Sequence, residues 1–472
     1  MKKKGLIISL SAILVLSTLS FPLTIGINAF VLPSVYDETF LGEMKEKIKL
    51  LKEREGKRII LVGGSSIPFG VQSSLIEENI SNYKVIDFGM YASLGSNVML
   101  DFAKAKINKD DIVVFMPEQN IQTLSMYYNG SSLWQALDGD FSSFWLLSHD
   151  IRQRMYGDLY DFSRSKFKFT FQEKIKLDDT IYQKSSFDKY GDIKDGLATY
   201  NVMSNQVDPT MAISFDTNML KDDFISYVND FASYVRSKGA SMYYRFAPMN
   251  RLAVEDESKL DSYYDFLNEK LNFEILGNPH NSIMDSEWFY DTNFHLNDAG
   301  AITNTKQLIK DIKLAIDDVS ATNIVDPEKP EIIENEEDKD GDNSDVDCFS
   351  YQLQDDRYII TSITNEKENM IVPYRYQGKK VVAFNADVFA FHSNIKTIKI
   401  QDNIRYLYDY SFDGCSSLEK IYLDNERPMS ISVGPSLLEG CNADIYVPEE
   451  YYYRYITAYN FSLRSFQGRI KK

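Results

Sequence analysis

The sequence predicts an α/β fold with a parallel sheet, followed by a smaller repeat domain. Three observations carry this. Short apolar strands alternate with amphipathic helices over residues 58–116 and again over 224–316. Such alternation builds βαβ units. A block of acidic residues then interrupts all apolar periodicity: residues 326–347 hold 11 acids and two lysines, a charge of −9 in a chain whose total is −18. Beyond it, a motif recurs at a step of 23 residues. At 472 residues the chain is long enough for two or three domains.

In order, residues 40–52 read as a helix, with Leu41, Met44, Ile48 and Leu51 at three- and four-residue steps. Residues 58–62 are a strand bounded by Gly63 and Gly64. Residues 72–78 read as helix, 83–88 as strand, 98–105 as helix and 112–116 as a third strand. The rhythm returns with a helix at 224–235, stopped by Gly239. A strand at 240–246 and a last helix at 298–316 follow, the helix capped by Asn297. Between these blocks, residues 126–190 carry 15 aromatics. These form either the core of an insert or a stacking surface for sugars or an acyl group, and packing is the commoner use.

Composition excludes several classes. Lys and Arg total 51 against 69 Asp and Glu, so the basic footprint of a nucleic-acid partner is absent. Three cysteines make no disulfide scaffold. Four histidines with no Cys/His cluster give no structural metal site, and no cofactor is expected. Residues 336–341 with Asp347 imitate a calcium loop, but the first acid is Glu, the last is Asp, and no helices flank them.

The N-terminus reads Met-Lys-Lys-Lys and then carries no charge from Gly5 to Tyr36. Its apolar core, residues 6–31, is long enough to cross a bilayer, which takes ~20 residues. The expectation is an uncleaved anchor over residues 1–36, single-pass in the cell membrane, with the body extracytoplasmic. The other reading is a long signal peptide cut near Ala29. Residues 319–347 are expected to be an extended, mobile acidic linker.

One constellation has the makings of chemistry. Ser65 follows the first strand through Gly63-Gly64, and a helix beginning just beyond would leave it exposed near a positive helix terminus. A serine needs a base. His295 stands before the last helix, with Asp291 four residues earlier to orient its ring.

The segment Val62-Gly63-Gly64-Ser65-Ser66 with Gly70, and Asp291-x-x-x-His295-Leu296-Asn297 with Gly300, resembles the SGNH/GDSL hydrolase superfamily. The likeness extends to Ile86-Asp87-Phe88-Gly89-Met90-Tyr91-Ala92 and to Asp111-Ile112-Val113-Val114-Phe115-Met116-Pro117-Glu118, and spans residues 58–316. It implies a flavodoxin-like three-layer α/β/α domain over 37–318. It also implies Ser65 as nucleophile, His295 as base and Asp291 as its orienter. The oxyanion hole would draw on Ser65, Gly89, Ala92, Gly95 and Asn120. The chain departs from the pattern twice. Asp and His are usually three apart, and Glu118 stands where an Asn usually donates to the oxyanion. A carboxyl group donates only when protonated.

The repeat pairs Val388-Phe389-x-x-His392-x-x-Ile395 with Ser411-Phe412-x-x-Cys415-x-x-Leu418, and a degenerate third copy carries Leu438 and Cys441. It resembles BspA-type leucine-rich repeats, implying a solenoid over 348–472. Cys415, Cys441 and His392 share one repeat position and are expected in the core. Together these resemblances imply a membrane-anchored serine esterase or O-acyltransferase. Its substrate would be a cell-envelope polysaccharide or other acylated glycan, and the repeats would bind a surface protein or glycan. The alternative is a non-catalytic surface adhesion protein.

Overall fold

A computed structural model describes residues 21–472 except 173–180, 204–205, 209–210, 332–340, 355–356, 426–427, 429–430, 458–460, 462–465 and 467. Most of the N-terminal apolar run and the calcium-like stretch lie outside the described residues. Residues 21–30 are helical, and among the described residues no helix is long and apolar enough to cross a membrane. The chain divides into two compact units, one of residues 1–201 and 213–332, the other of 202–212 and 333–472.

The first unit is built on five parallel strands: β1 (Lys57–Gly63), β2 (Tyr83–Gly89), β3 (Ile112–Met116), β4 (Ser241–Tyr244) and β5 (Glu274–Ile275). Their order is β2-β1-β3-β4-β5. The order reverses at β1, where the chain runs first to β2 on one side and then to β3 on the other. Alternation along the strands splits the core. Ile59 and Leu61 of β1, with Ile112, Val114 and Met116 of β3, face α2 (Ser73–Asn79) and α7 (Asp298–Ala315) through Ile76, Leu308, Ile309 and Ile312. The opposite face carries α1 (Glu43–Glu53), α3 (Ser96–Ala103) and α5 (Asp222–Ser237). The sheet is thus buried on both sides, which explains why its strands read as continuous apolar runs. Helix α6 (Leu260–Lys270), buried through Leu260, Tyr263 and Leu267, leads into the edge strand β5, which pairs over only two residues and so leaves no strand pattern in the sequence.

The opposite end of the sheet is pinned by a buried ion pair. Arg58 and Asp111 are both fully buried and bonded through two nitrogens of the guanidinium. Two more Arg58 hydrogens go to Leu51 O and Lys106 O, and Asp111 also accepts from Asn108 N. A buried pair satisfied on all sides fixes β1 against the start of β3, although it adds little net stability over apolar packing.

The aromatic insert mainly packs. Trp134, Phe144, Phe162 and Phe169 are buried, with the Trp134 ring stacked on Phe144 and Phe162. One face does not. On α4 (Leu159–Phe171), Tyr160, Arg164, Phe167 and Phe171 are exposed at steps of four, three and four residues. Phe21 lies against Tyr160, ring centroids 5.6 Å apart.

The acidic stretch departs from the expected free tether. Lys313 Nζ holds the carbonyls of Ser320 and Ala321, Ile324 packs on the core, and Asp326 pairs with Lys306. Lys329 pairs with Asp285 and Glu287. Lys306 and Lys313 of α7, with Asp285 and Glu287, thus hold the first part of the stretch, and Asp345 at its far end is buried in the second unit, bonded to Ile371 N and Lys367.

In the second unit, β6 (Asn369–Ile371), β7 (Thr397–Ile400), β8 (Lys420–Leu423), β9 (Asp444–Tyr446) and β10 (Ile470–Lys471) form a parallel sheet in chain order. The register places Met370, Ile398, Ile421, Ile445 and Ile470 side by side, all buried. Phe389 and Phe412 are buried with centroids 5.8 Å apart. Cys415 and Cys441 are buried and free. His392 is not a core residue: it is half-buried and its Nδ1 lies 2.6 Å from Glu366 Oε2, because an imidazole at this position has an acid within reach at the surface.

Asp111→Ala leaves the Arg58 guanidinium buried without its partner. The expected loss is about 3–5 kcal/mol in urea unfolding followed by tryptophan fluorescence, which reports this unit alone because Trp134, Trp145 and Trp288 all lie in it. A loss under about 1 kcal/mol would show that the pair does not hold the sheet.

Candidate active site

The site forms at the C-terminal edge of the sheet, beside the order reversal. After β1 the chain makes consecutive turns over residues 64–71, with Phe69 N donating to Ser65 O and Gly70 N to Ile67 O. Helix α2 does not begin until Ser73, so these turns stand where a helix terminus was expected beside Ser65. Nor is Ser65 exposed: only 4% of its surface is accessible. The turns fold the Ser65 hydroxyl inward, toward polar groups from two other segments.

The first is the loop that precedes α7. Phe289 and Leu296 form an antiparallel bridge, Tyr290 N donates to His295 O, and Thr292 Oγ1 accepts from the N–H groups of Phe294 and His295. Asn297 closes the loop by capping α7 through Gly300 N and by donating to the carbonyls of Glu287 and Phe289. This closed hairpin loop brings Asp291 and His295 together at a spacing of four. His295 Nδ1 lies 2.8 Å from Asp291 Oδ1, and His295 Nε2 lies 2.8 Å from Ser65 Oγ. The three side chains therefore form one chain of hydrogen bonds, with the carboxylate holding the proton on Nδ1 and leaving Nε2 to accept from the serine.

Two residues that the sequence reading did not single out complete it. The Tyr182 hydroxyl donates to Asp291 Oδ2 and lies 3.3 Å from His295 Nδ1. Burial, and then the neighbouring Asp291, push the Tyr182 phenol well above its ordinary range, so it stays a neutral donor. The Phe69 ring lies flat on the imidazole, centroids 4.1 Å apart and planes 4° from parallel. Tyr182 sits in the aromatic-rich segment, which was the one available hint; nothing in the sequence ties it to Asp291.

The second segment follows β3. Glu118 is buried, with Oε1 3.0 Å from Ser66 N and 3.5 Å from Ser65 Oγ, and Oε2 3.3 Å from Asn120 Nδ2. Gly64 makes room for it, since a Cβ there would stand 2.5 Å from Glu118 Oε1. Burial raises the Glu118 carboxyl above its usual value, opposed first by the positive charge His295 can carry and then by the Ser66 and Asn120 hydrogen bonds.

The expected oxyanion donors divide. Gly89 N is 2.7 Å from Asp87 Oδ1, and Gly95 N is 2.9 Å from Ala92 O, so both are already engaged. Asp87 is held in place by Lys47, which explains why it turns back on Gly89. Asn120 directs its amide to Glu118, and its Oδ1 accepts from Gln122 and Thr123. The N–H groups of Ser65 and Ala92 make no hydrogen bond among the described residues and remain able to donate. No cluster of three or more metal-ligating side chains occurs among the described residues. Compared with known proteins, the chain matches no family model and no curated protein.

Tyr182→Phe removes one hydrogen bond from Asp291 while leaving the ring. If the site is catalytic, kcat should fall about tenfold, ~1.4 kcal/mol, with KM little changed. An unchanged kcat would show that Asp291 is oriented without Tyr182.

Proposed function

We propose that the chain is an extracytoplasmic, membrane-anchored serine esterase or O-acyltransferase acting on acylated cell-envelope glycans. The observation that carries this reading is the hydrogen-bonded series Ser65–His295–Asp291, closed at 2.8 Å on both sides of the imidazole. Three separate segments converge there at the strand ends, where doubly wound sheets bind their ligands, and the order 2-1-3-4-5 is that of flavodoxin-type sheets. These features favour the flavodoxin-like three-layer fold of the SGNH type.

In this reading His295 Nε2 takes the proton from Ser65 Oγ as the oxygen attacks an ester carbonyl. His295 then gives that proton to the departing alcohol, leaving an acyl-serine. Water or a sugar hydroxyl discharges it by the same path in reverse. The small accessible area of Ser65 favours a small acyl group such as acetyl. The exposed Tyr160, Phe167 and Phe171 with Arg164, next to Phe21, are the residue types that sit at membrane interfaces, which supports a membrane-proximal body. The in-register ladder of Met370, Ile398, Ile421, Ile445 and Ile470 supports a leucine-rich repeat solenoid, to which we assign the binding of a surface protein or glycan.

A second reading, a non-catalytic adhesion protein, is favoured by two features: Gly89 and Gly95 are engaged, and a carboxyl group stands where a donor is needed.

A fluorophosphonate probe is expected to label Ser65 of the full chain, and an aryl acetate to be turned over. Ser65→Ala should remove labelling and cut turnover at least ~1,000-fold. A folded protein that shows neither labelling nor turnover supports the adhesion reading.

A further inference from the structure

We propose that Glu118 is a further catalytic residue, a neutral carboxylic acid whose O–H donates to the oxyanion formed at Ser65. This rests on the serine acyl-transfer reading above. Glu118 Oε1 lies 3.5 Å from Ser65 Oγ, on the hydroxyl that His295 Nε2 also contacts. An oxyanion is one bond removed from the carbon that Oγ attacks, so it forms within reach of this carboxyl. The position is held: Ser66 N–H anchors Oε1, Asn120 anchors Oε2, and the missing side chain at Gly64 leaves the space.

The surroundings favour the neutral form. Among the described residues no Lys or Arg makes an ion pair with Glu118, and the charged group that bears on it most is His295. Asp291 lies behind the imidazole, and the Ser66 and Asn120 donors, each bonded to one carboxyl oxygen, oppose the rise without reversing it. Burial raises the carboxyl above its usual range. A carboxylic acid kept neutral in an apolar site, donating to an oxyanion, is an established device in ketosteroid isomerase.

The step balances. Oγ bonds to the carbonyl carbon and its proton moves to His295 Nε2. The C=O pair becomes an oxyanion that accepts from Glu118 O–H and Ser65 N–H. On collapse the carbon–oxygen bond to the leaving alcohol breaks, and that alcohol takes the proton from His295. Glu118 keeps its proton throughout.

The sign of the pH dependence follows. A folded-state value raised above the unfolded one means that Glu118 ionises as pH rises through the raised value. Donation is then lost, and a carboxylate repels the oxyanion. Glu118→Gln carries a donor of the same shape that does not titrate. Its kcat should stay within about tenfold of wild type at low pH, and the ratio of mutant to wild-type kcat should climb as pH rises. Glu118→Ala should lose about 100–1,000-fold. A readout independent of activity accompanies these. Wild type should lose thermal stability relative to Glu118→Gln as pH rises from the ordinary carboxyl value to the raised one, because the unfolded chain releases a proton that folded Glu118 still holds.

The proposal is overturned if folded Glu118→Gln is inactive, if Glu118→Ala matches wild type, or if the ratio is flat with pH. Labelling of Ser65 by the fluorophosphonate keeps this separate from the serine reading. With Ser65 labelled and the ratio flat, only the role of Glu118 falls. With Ser65 unlabelled in wild type, the serine reading itself falls.

Discussion

The hydrogen bond between Ser65 Oγ and His295 Nε2 joins residues 230 positions apart in the chain. It can form only if the end of β1, the turns of 64–71 and the loop before α7 meet at one edge of the sheet. Each of those placements has its own cause. Arg58 and Asp111 fix the far end of β1, so its near end is set by strand length. The Phe289–Leu296 bridge and the Asn297 cap fix the loop. Phe69, carried on the turns that hold Ser65, lies on the imidazole and couples the two. The polar contact is thus the end point of apolar and backbone interactions that would persist without it.

Much of the α/β unit was legible in the sequence because its signals are local. Ile59, Leu61, Ile112 and Val114 lie in short apolar runs bounded by Gly63 and by Asp110-Asp111, and the strands begin and end within a residue or two of those marks. The recurrence was legible for the same reason: Phe389 and Phe412 stand at a fixed step, and their buried rings lie 5.8 Å apart. Ser65, Asp291 and His295 were legible as residue types in a suggestive order, and their meeting is a property of the fold.

What was not legible depends on partners distant in sequence. Nothing near Tyr182 announces Asp291, and nothing near Gly89 announces that Asp87, held by Lys47, takes its N–H. The acidic stretch was legible as charge, but its first part is held by Lys306 and Lys313 and, through its own Lys329, by Asp285 and Glu287, all of which lie outside it. Ser65 read as exposed because strand-end serines often are. The turns that bury it are set by packing of Phe69 and by Glu118 entering over Gly64.

The central claim is that His295 activates Ser65 as a nucleophile. Acid quenching of the full chain mixed with an aryl acetate, followed by peptide mass spectrometry, tests it most directly. The account predicts one acetyl group on the peptide that contains Ser65, absent in His295→Ala, with its rate of appearance matching the burst of aryl alcohol. Acetylation elsewhere, or on Ser65 at the same rate in His295→Ala, would contradict it.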